Sequence, residues 1–408
     1  MAKGEILAMV MAGGKGERLD PLTLERSKPS VPFGGKYRIA DFVLSNFINS
    51  GIYSIYVLVQ YKSQSLIEHI RTGWKRQGML SKHFITVVPP QMRKDTLRDW
   101  YRGTADSIYQ NINLIYDFSP SLVAVFGSDH IYRMNIKQMI DFHIRKKADV
   151  TVSCIPVPKE QSSSLGIIET DAASKVKGFE EKPRSPKTIP SNDSLAYASM
   201  GNYIFNPKVL VEALDNDAHS MTAHDFGKDI MPALFRKKNV YAYDLFSNTI
   251  PGIKRYEEKG YWRDVGTIDS FFEAHMDLLG KKPRLDLSNS QWPIYGSTLN
   301  CPPAKINQSQ INNCLISEGC MIEKANIRNA VLGRQIIVEE NVEISDAIIM
   351  DFAHIKKNSR IHKTIIDRFN TIEQGSCIGQ DCAEDKKKYF LSKSGVVVVK
   401  RGPRQVFY

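Results

Sequence analysis

The chain has 408 residues, a formal net charge of +11 and a hydrophobic content of 42%. That length predicts about two or three domains with ample core, and the longest apolar runs fall far short of a membrane span. The basic excess suits anionic partners, yet Lys and Arg are spread along the chain. Clusters such as Arg145-Lys146-Lys147 and Lys386-Lys387-Lys388 are short, which reads as a solvated basic surface rather than a nucleic-acid stripe, with phosphate-bearing substrates explaining part of the excess. None of the six cysteines forms a Cys-x-x-Cys pair or joins a His at zinc-like spacing, so free thiols are expected. No charged leader or cleavage site precedes the first apolar run, so a cytoplasmic location is expected.

In chain order, Ile6 to Ala12 is an apolar run that reads as a buried first strand. A Gly-rich stretch follows, Gly14-Lys15-Gly16-Glu17-Arg18-Leu19-Asp20-Pro21-Leu22-Thr23, closed by Ser27-Lys28-Pro29. Such a turn can bring bare backbone N–H groups against phosphates, with Arg18 and Lys28 adding positive charge. Its spacing matches neither the dinucleotide fingerprint nor the Walker A loop. Ile55 to Val59 then reads as a strand, Gln64 to Trp74 as a helix, and Ala105 to Tyr116 as a helix carrying Ile108, Ile112 and Ile115. Leu122 to Phe126 and Val150 to Ile155 are further apolar strands. This alternation predicts an α/β domain with a mostly parallel sheet over residues 1–280, and ligands in such folds sit at the carboxyl ends of the strands.

Residues 281–303 break the pattern with Pro283, Pro293, Pro302 and Pro303 and read as a linker. Over 304–408 the texture changes. Aliphatic residues recur about every six positions, at Ile316, Ile322 and Ile327, then Val338, Ile344, Ile349, Ile355, Ile361, Ile366, Ile372 and Ile378. That period predicts a parallel β-helix with one aliphatic residue per face. Steps of five, as at Ile327 and Ile366, make it imperfect. Gly395 to Lys400 reads as one closing strand.

Several residues in these segments suit phosphate chemistry. Asp129 ends the run Val123 to Gly127 and reads either as a metal ligand or as an N-cap for a following helix. Asp264, in Tyr261-Trp262-Arg263-Asp264-Val265-Gly266-Thr267, is a second carboxylate able to share one Mg²⁺ with it. Lys182, kept extended by Pro183, is a point charge for a sugar phosphate or half of a surface pair with Glu181. Trp100-Tyr101-Arg102-Gly103-Thr104-Ala105-Asp106 offers aromatic faces to a sugar or base, or to the core. Ser199 and Gly166 read either as structural or as ligand contacts. His224-Asp225-Phe226-Gly227-Lys228-Asp229 reads as a helix start. With no Gly-x-Ser-x-Gly elbow in the chain, a hydrolase triad is not expected.

Taken together these motifs resemble the sugar nucleotidyltransferases, and within them the bacterial glucose-1-phosphate adenylyltransferases. The likeness runs from about Ile6 to about Lys400 and includes Phe33-Gly34-Gly35-Lys36-Tyr37-Arg38-Ile39-Ala40-Asp41-Phe42. It implies an α/β, Rossmann-like nucleotidyltransferase domain with a mostly parallel mixed sheet, plus a C-terminal left-handed parallel β-helix for oligomerisation and regulation. It also implies that ATP and glucose 1-phosphate give ADP-glucose and pyrophosphate, with Mg²⁺ on Asp129 and Asp264. Arg18 and Lys28 then bind the triphosphate and the departing pyrophosphate. Gly13, Gly14, Gly16 and Gly103 line the nucleotide, and Gln91 reads the adenine edge. Tyr101, Gly166, Glu181, Lys182 and Ser199 hold glucose 1-phosphate. The resemblance further implies a tetramer, homomeric or shared with a paralogue, and a small-molecule effector near Arg38. Two departures stand out. Ser128 stands where many members have Gly. Glu25 and Pro32 replace the Lys and His that bind a sugar-phosphate activator in enteric-type members, so weak bisphosphate activation is expected.

Overall fold

The computed structural model describes residues 5–14, 16–74, 82–90, 100–297 and 299–404. Strand Ile6–Ala12 lies in the interior of a nine-stranded sheet, parallel to Ser54–Val59 on one side and to Leu122–Gly127 on the other. Its residues alternate between two cores, Ala8, Val10 and Ala12 facing one and Leu7 and Met9 the other. A strand covered on both faces has to be apolar throughout, and this one is. Phe84–Val88 extends the parallel half. The other half is mixed: Leu195–Phe205 runs antiparallel to Leu122–Gly127, Val150–Pro158 and Gly166–Thr170. Val176–Glu181 completes that edge, and Val240–Asp244 lies parallel to Val150–Pro158.

The expected helix from Ala105 to Tyr116 is instead two, Thr104–Tyr109 and Asn113–Phe118. Asn111 breaks it. Its side-chain amide takes the Ser107 carbonyl at 2.8 Å, while its backbone N–H turns to Ile108. Asn competes with the helical ladder in this way.

Residues 281–303 carry no helix or strand among the described residues, yet they are held against the first domain. Asn49 Nδ2 donates to the Pro293 carbonyl at 2.9 Å, and Tyr295 N–H donates to Ser45 Oγ at 2.8 Å. Leu285 and Ile294 join a core shared with Phe33 and Phe42 on one side and Ile348, Ile365 and Val398 on the other.

The C-terminal region is a left-handed parallel β-helix. The seven-residue strands Gln310–Ile316, Asn326–Leu332, Glu343–Ile349 and Arg360–Ile366 stack in parallel register, and short strands such as Met321–Glu323 and Ile337–Val338 form a second ladder. Each long strand bends at a left-handed residue, Asn313, Asn329, Asp346 and Lys363. Two faces therefore come from one strand and the third from the short ladder. A second corner falls at Lys324, Asn341, Asn358 and Gly375, and hydrogen bonds link corner residues on successive coils 17 positions apart, Asn329 to Asp346 and Asn341 to Asn358. Corner residues are five apart at 341–346 and 358–363, which accounts for the five-residue steps to Ile349 and Ile366, and the step to Ile327 follows a five-residue side from Gly319 to Lys324. Val397–Val399 closes the stack on Arg360–Ile366. No helix among the described residues is long and apolar enough to cross a membrane.

Candidate active site

A cleft of about 700 Å³ opens at the carboxyl ends of the parallel strands. Gly13 and Gly14 follow Ile6–Ala12, Gln60 follows Ser54–Val59, and Ser128 and Asp129 follow Leu122–Gly127; all line it. Gly16 turns the first loop with a left-handed φ of 70°, and a Cβ there would come within 2.8 Å of the Lys28 Cβ. Only glycine fits both demands. Thr23 Oγ1 donates to the Gly16 carbonyl at 3.1 Å and to Asp20 at 2.5 Å, closing the loop on itself.

At the floor stands Lys28, its side chain 7% exposed. Its Nζ lies 3.2 Å from Asp129 Oδ2 and 3.0 Å from Asp264 Oδ1. Asp264 arrives on the short strand Trp262–Asp264, which pairs antiparallel with His130–Tyr132 and sets Asp264 opposite His130. Because a strand follows Asp129 directly, the N-cap alternative falls away. Burial pulls the Lys28 amine down, but Asp129 and Asp264 outweigh it, and the amine titrates above its ordinary value. Burial likewise pushes the Asp129 carboxyl up, and His130 and Lys28 outweigh that, so it stays ionised far below the usual carboxylate range. Arg18, on the loop above, points its guanidinium at Asp264 from 3.8 Å and is 70% exposed, free to turn towards a ligand.

Asp129, His130 and Asp264 can offer ligand atoms within 4.8 Å of one another. Carboxylate oxygens at that spacing suit a hard divalent cation with room left for phosphate oxygens. His130 is the member that sequence reasoning missed. The ring packs at a tilt against Trp262 with centroids 4.9 Å apart, and its place beside the aspartate was the only available signal. Ser128 is accommodated because its hydroxyl donates to the Met11 carbonyl at 2.8 Å, stitching two strand ends together.

Tyr101 and Gly103 line the same cleft. The Gln60 side chain brackets Tyr101, accepting from its N–H at 3.0 Å and donating to its carbonyl at 3.3 Å. Gln60 was not foreseen either, although its position just past a parallel strand marks it. Gly166, Glu181, Lys182 and Ser199 lie further along the sheet and do not touch the cleft wall proper. Gly166 pairs with Glu181 across two strands, and a Cβ on it would meet the Glu181 carboxylate at 3.0 Å. Ser199, Glu181 and Asp225 all act on the Tyr203 hydroxyl, which burial first, then the two carboxylates, push to a high pKa. Lys182 corrects an expectation: it is left-handed, with φ 51°, not extended. Pro183 bars the right-handed helical well to its neighbour but leaves this one open, and Lys182 N–H turns back to the Leu165 carbonyl at 3.0 Å. Gln91 and Lys15 lie outside the described residues.

The His224–Asp229 segment is a helix start as expected, a π-helical turn over Phe226–Ile230 capped by Asp225, which accepts from Gly227 and Lys228 N–H.

Arg38 is not in the cleft. It is buried beneath the β-helix, its Nη1 donating to the Ser30 carbonyl at 2.5 Å. Burial and then the nearby Arg368 pull its guanidinium well below the ordinary value. Arg26 pairs with Asp367 at 2.6 Å, and Arg334 with Asp351 at 3.0 Å. Arg26 Nε and Nη1, Arg38 Nε and Arg368 Nε have no hydrogen-bond partner among the described residues, though Arg368 Nε lies 3.7 Å from Asp351 Oδ2. Glu25, at the rim, is paired with Arg401 at 2.8 Å.

A Gly-rich turn, a lysine between two carboxylates and an α/β sheet ahead of a β-helix define a nucleotidyltransferase. The family model described as "Nucleotidyl transferase" matches residues 7–281, and "GlmU-like, C-terminal hexapeptide" matches residues 302–399. The chain is 51% identical over 401 residues to the glucose-1-phosphate adenylyltransferase of Thermodesulfovibrio yellowstonii, covering 98% of this chain and 97% of the relative. It is 47% identical over 407 residues to that of Photobacterium profundum, covering 98% and 99%, and 44% identical over 414 residues to that of an Anaeromyxobacter strain, covering 99% of each. The chain belongs to the glucose-1-phosphate adenylyltransferase branch of the nucleotidyltransferase family. Enzymes of this kind use a divalent metal.

Proposed function

We propose that the chain transfers the adenylyl group of ATP to α-D-glucose 1-phosphate, forming ADP-glucose and pyrophosphate for α-glucan synthesis. The observation that carries this reading is Lys28 held between Asp129 and Asp264 beside the Gly-rich turn. A phosphate oxygen of the sugar phosphate attacks the α-phosphorus in line, and the bond from that phosphorus to the bridging oxygen breaks, releasing pyrophosphate. A phosphate monoester has a second pKa of about 6, so the attacking oxygen is already ionised at neutral pH and no general base is needed. Catalysis is positioning and charge neutralisation. Asp129 and Asp264 hold Mg²⁺, which neutralises phosphate charge when bound. Lys28 and Arg18 meet the triphosphate and the leaving pyrophosphate, with Gly13, Gly14, Gly16 and Gly103 giving the backbone room to approach. Gln91 reads the adenine edge. Tyr101, Gly166, Glu181, Lys182 and Ser199 receive the sugar phosphate.

Residues 1–280 form the catalytic domain, 281–303 the connection and 304–408 the part that assembles a cytoplasmic tetramer, from one kind of chain or two. Around Arg38 four arginines face two aspartates with guanidinium donors left over, which suits a phosphorylated effector. Glu25 stands where a cation would meet a second phosphate and pairs with Arg401 at 2.8 Å, occupying that arginine as well, so bisphosphate activation is weak.

The test is pyrophosphate release with glucose 1-phosphate and Mg²⁺, comparing ATP, UTP, dTTP and GTP. Preference for ATP supports the reading. Preference for another triphosphate overturns the product, and no turnover with any, even with candidate effectors, overturns the enzyme in favour of a regulatory subunit.

A further inference from the structure

The turn that opens the π-helical segment is strained and anchored from outside. His224 has a left-handed φ of 53°, a conformation costly for a non-glycine residue. Its imidazole is buried, Nδ1 lying 2.7 Å from Asp217 Oδ2, with the two side chains 4% and 9% exposed. Asp217 sits on the last turn of the helix Pro207–Ala218. Its other oxygen accepts from Thr222 Oγ1 at 2.7 Å, and that hydroxyl accepts in turn from the His224 N–H at 3.2 Å.

The far side of this turn is the wall of the cleft. The His224 carbonyl accepts from Ala105 N–H at 2.8 Å. Gly103 packs so close that a Cβ would run into the Ala223 and His224 carbonyl oxygens. Thr104 Oγ1 donates to Asp225 Oδ2 at 3.0 Å and accepts from Phe226 N–H at 3.0 Å. Gly103 and Thr104 line the cleft beside Tyr101. Phe226 also stacks on Tyr203, ring centroids 5.4 Å apart, next to Ser199.

We propose that the buried Asp217–His224 pair is a positioning device for the reaction, fixing the strained turn at 224–226 and through it the Tyr101–Thr104 wall on which glucose 1-phosphate is held. Neither side chain touches substrate. The pair offsets the backbone strain at His224 and keeps its carbonyl aimed at the Gly103–Ala105 backbone. Without it the turn relaxes, Gly103 loses the carbonyls it packs on, and the wall moves.

This inference rests on the adenylyl-transfer reading, and the experiment separates the two. Asp217→Ala and His224→Leu are compared with the wild type in pyrophosphate release and in amide hydrogen exchange of the segment 101–110. Leu fills much of the space of the imidazole but cannot donate to Asp217 and disfavours the left-handed backbone, so that variant loses the anchor and lets the turn relax. Each variant is expected to raise KM for glucose 1-phosphate and KM for ATP about tenfold, since Tyr101 is placed on the first and Gly103 on the second, with kcat within about threefold of wild type. The Ala105 amide is expected to exchange faster. Asp217→Asn, whose carboxamide oxygen still accepts from an imidazole N–H, is expected to restore both. An unchanged KM for glucose 1-phosphate in both anchor variants overturns the proposal. So does a loss spread evenly over kcat and both KM values with a fall in melting temperature, which is the mark of a merely structural pair. A wild-type chain without turnover refutes the adenylyl-transfer reading, while the exchange of Ala105 still tests the anchor.

Discussion

Replacing Asp129 by Asn keeps the shape of the side chain and removes one charge from the floor of the cleft. In the native arrangement two carboxylates share one ammonium, Lys28 lying 3.2 Å from Asp129 and 3.0 Å from Asp264. One net negative charge is left to face a cation. In the variant Lys28 already balances Asp264 and nothing is left over. A unit charge and a divalent cation about 4 Å apart attract by about 2 kcal/mol at the dielectric of water and about 8 kcal/mol at an effective value of about 20. The Asp129 side chain is 43% exposed, which brings the loss towards the lower end, about 3–4 kcal/mol. The expected outcome is a fall in kcat of about 10²–10³ and a matching rise in the Kd for Mn²⁺. The fold is retained, because Lys28 keeps Asp264 and the amide oxygen can still accept from it. Pyrophosphate release at saturating substrates reads the first quantity, and electron paramagnetic resonance of free Mn²⁺ reads the second. A kcat within about threefold of wild type, together with unchanged Mn²⁺ binding, would refute the metal role of Asp129.

Lys182→Ala is expected to raise KM for glucose 1-phosphate far more than KM for ATP, since only a sugar phosphate is placed at the Glu181 edge; an effect confined to ATP in steady-state kinetics sinks that role. Arg26→Ala removes the 2.6 Å partner of Asp367, 1% exposed, while Arg368 still faces that carboxylate, so the loss is that of one charge-assisted hydrogen bond, about 1.5–3 kcal/mol. Thermal melting of single and double variants checks it: Asp367→Ala added to Arg26→Ala should recover part of the loss. His275 accepts from Gly34 N–H at 3.2 Å, and burial lowers its pKa to about 4. A histidine held neutral in the fold binds its proton more readily when unfolded. Its contribution is therefore present in full above about pH 6.5 and is lost as pH falls towards 4, about 3 kcal/mol in all. Urea midpoints across that window should lose this slope in His275→Gln, and an identical slope in both proteins contradicts the assignment.

Much of this protein is legible before any coordinates, for local reasons. The unbroken apolar run Ile6 to Ala12, covered on both faces, and the six-residue period beyond Ile316 reflect which side chains must turn inward. The Gly-rich turn needs Gly16 because its φ of 70° and its contact with Lys28 exclude any Cβ. The break in the expected helix at Asn111 was not legible, because the competing acceptor is chosen by a side-chain rotamer. The left-handed turn at Lys182 escaped for a similar reason: proline restricts its neighbour without choosing between the conformations that remain.

The sequence by itself determined the two architectures and singled out the Gly-rich turn and the two carboxylates Asp129 and Asp264. Each is written in residue types at short spacing, where sterics and periodicity act directly. Only the tertiary structure decided that the two carboxylates meet. The antiparallel pairing of Trp262–Asp264 with His130–Tyr132 carries Asp264 to Asp129 across more than a hundred residues, with Lys28 between them. It alone brought Arg26, Arg38, Arg334 and Arg368 together under the β-helix, and joined Asp217 through His224 to the wall at Gly103. Such contacts depend on how whole elements pack, and packing is set by the summed burial of distant surfaces that no local run of residues contains.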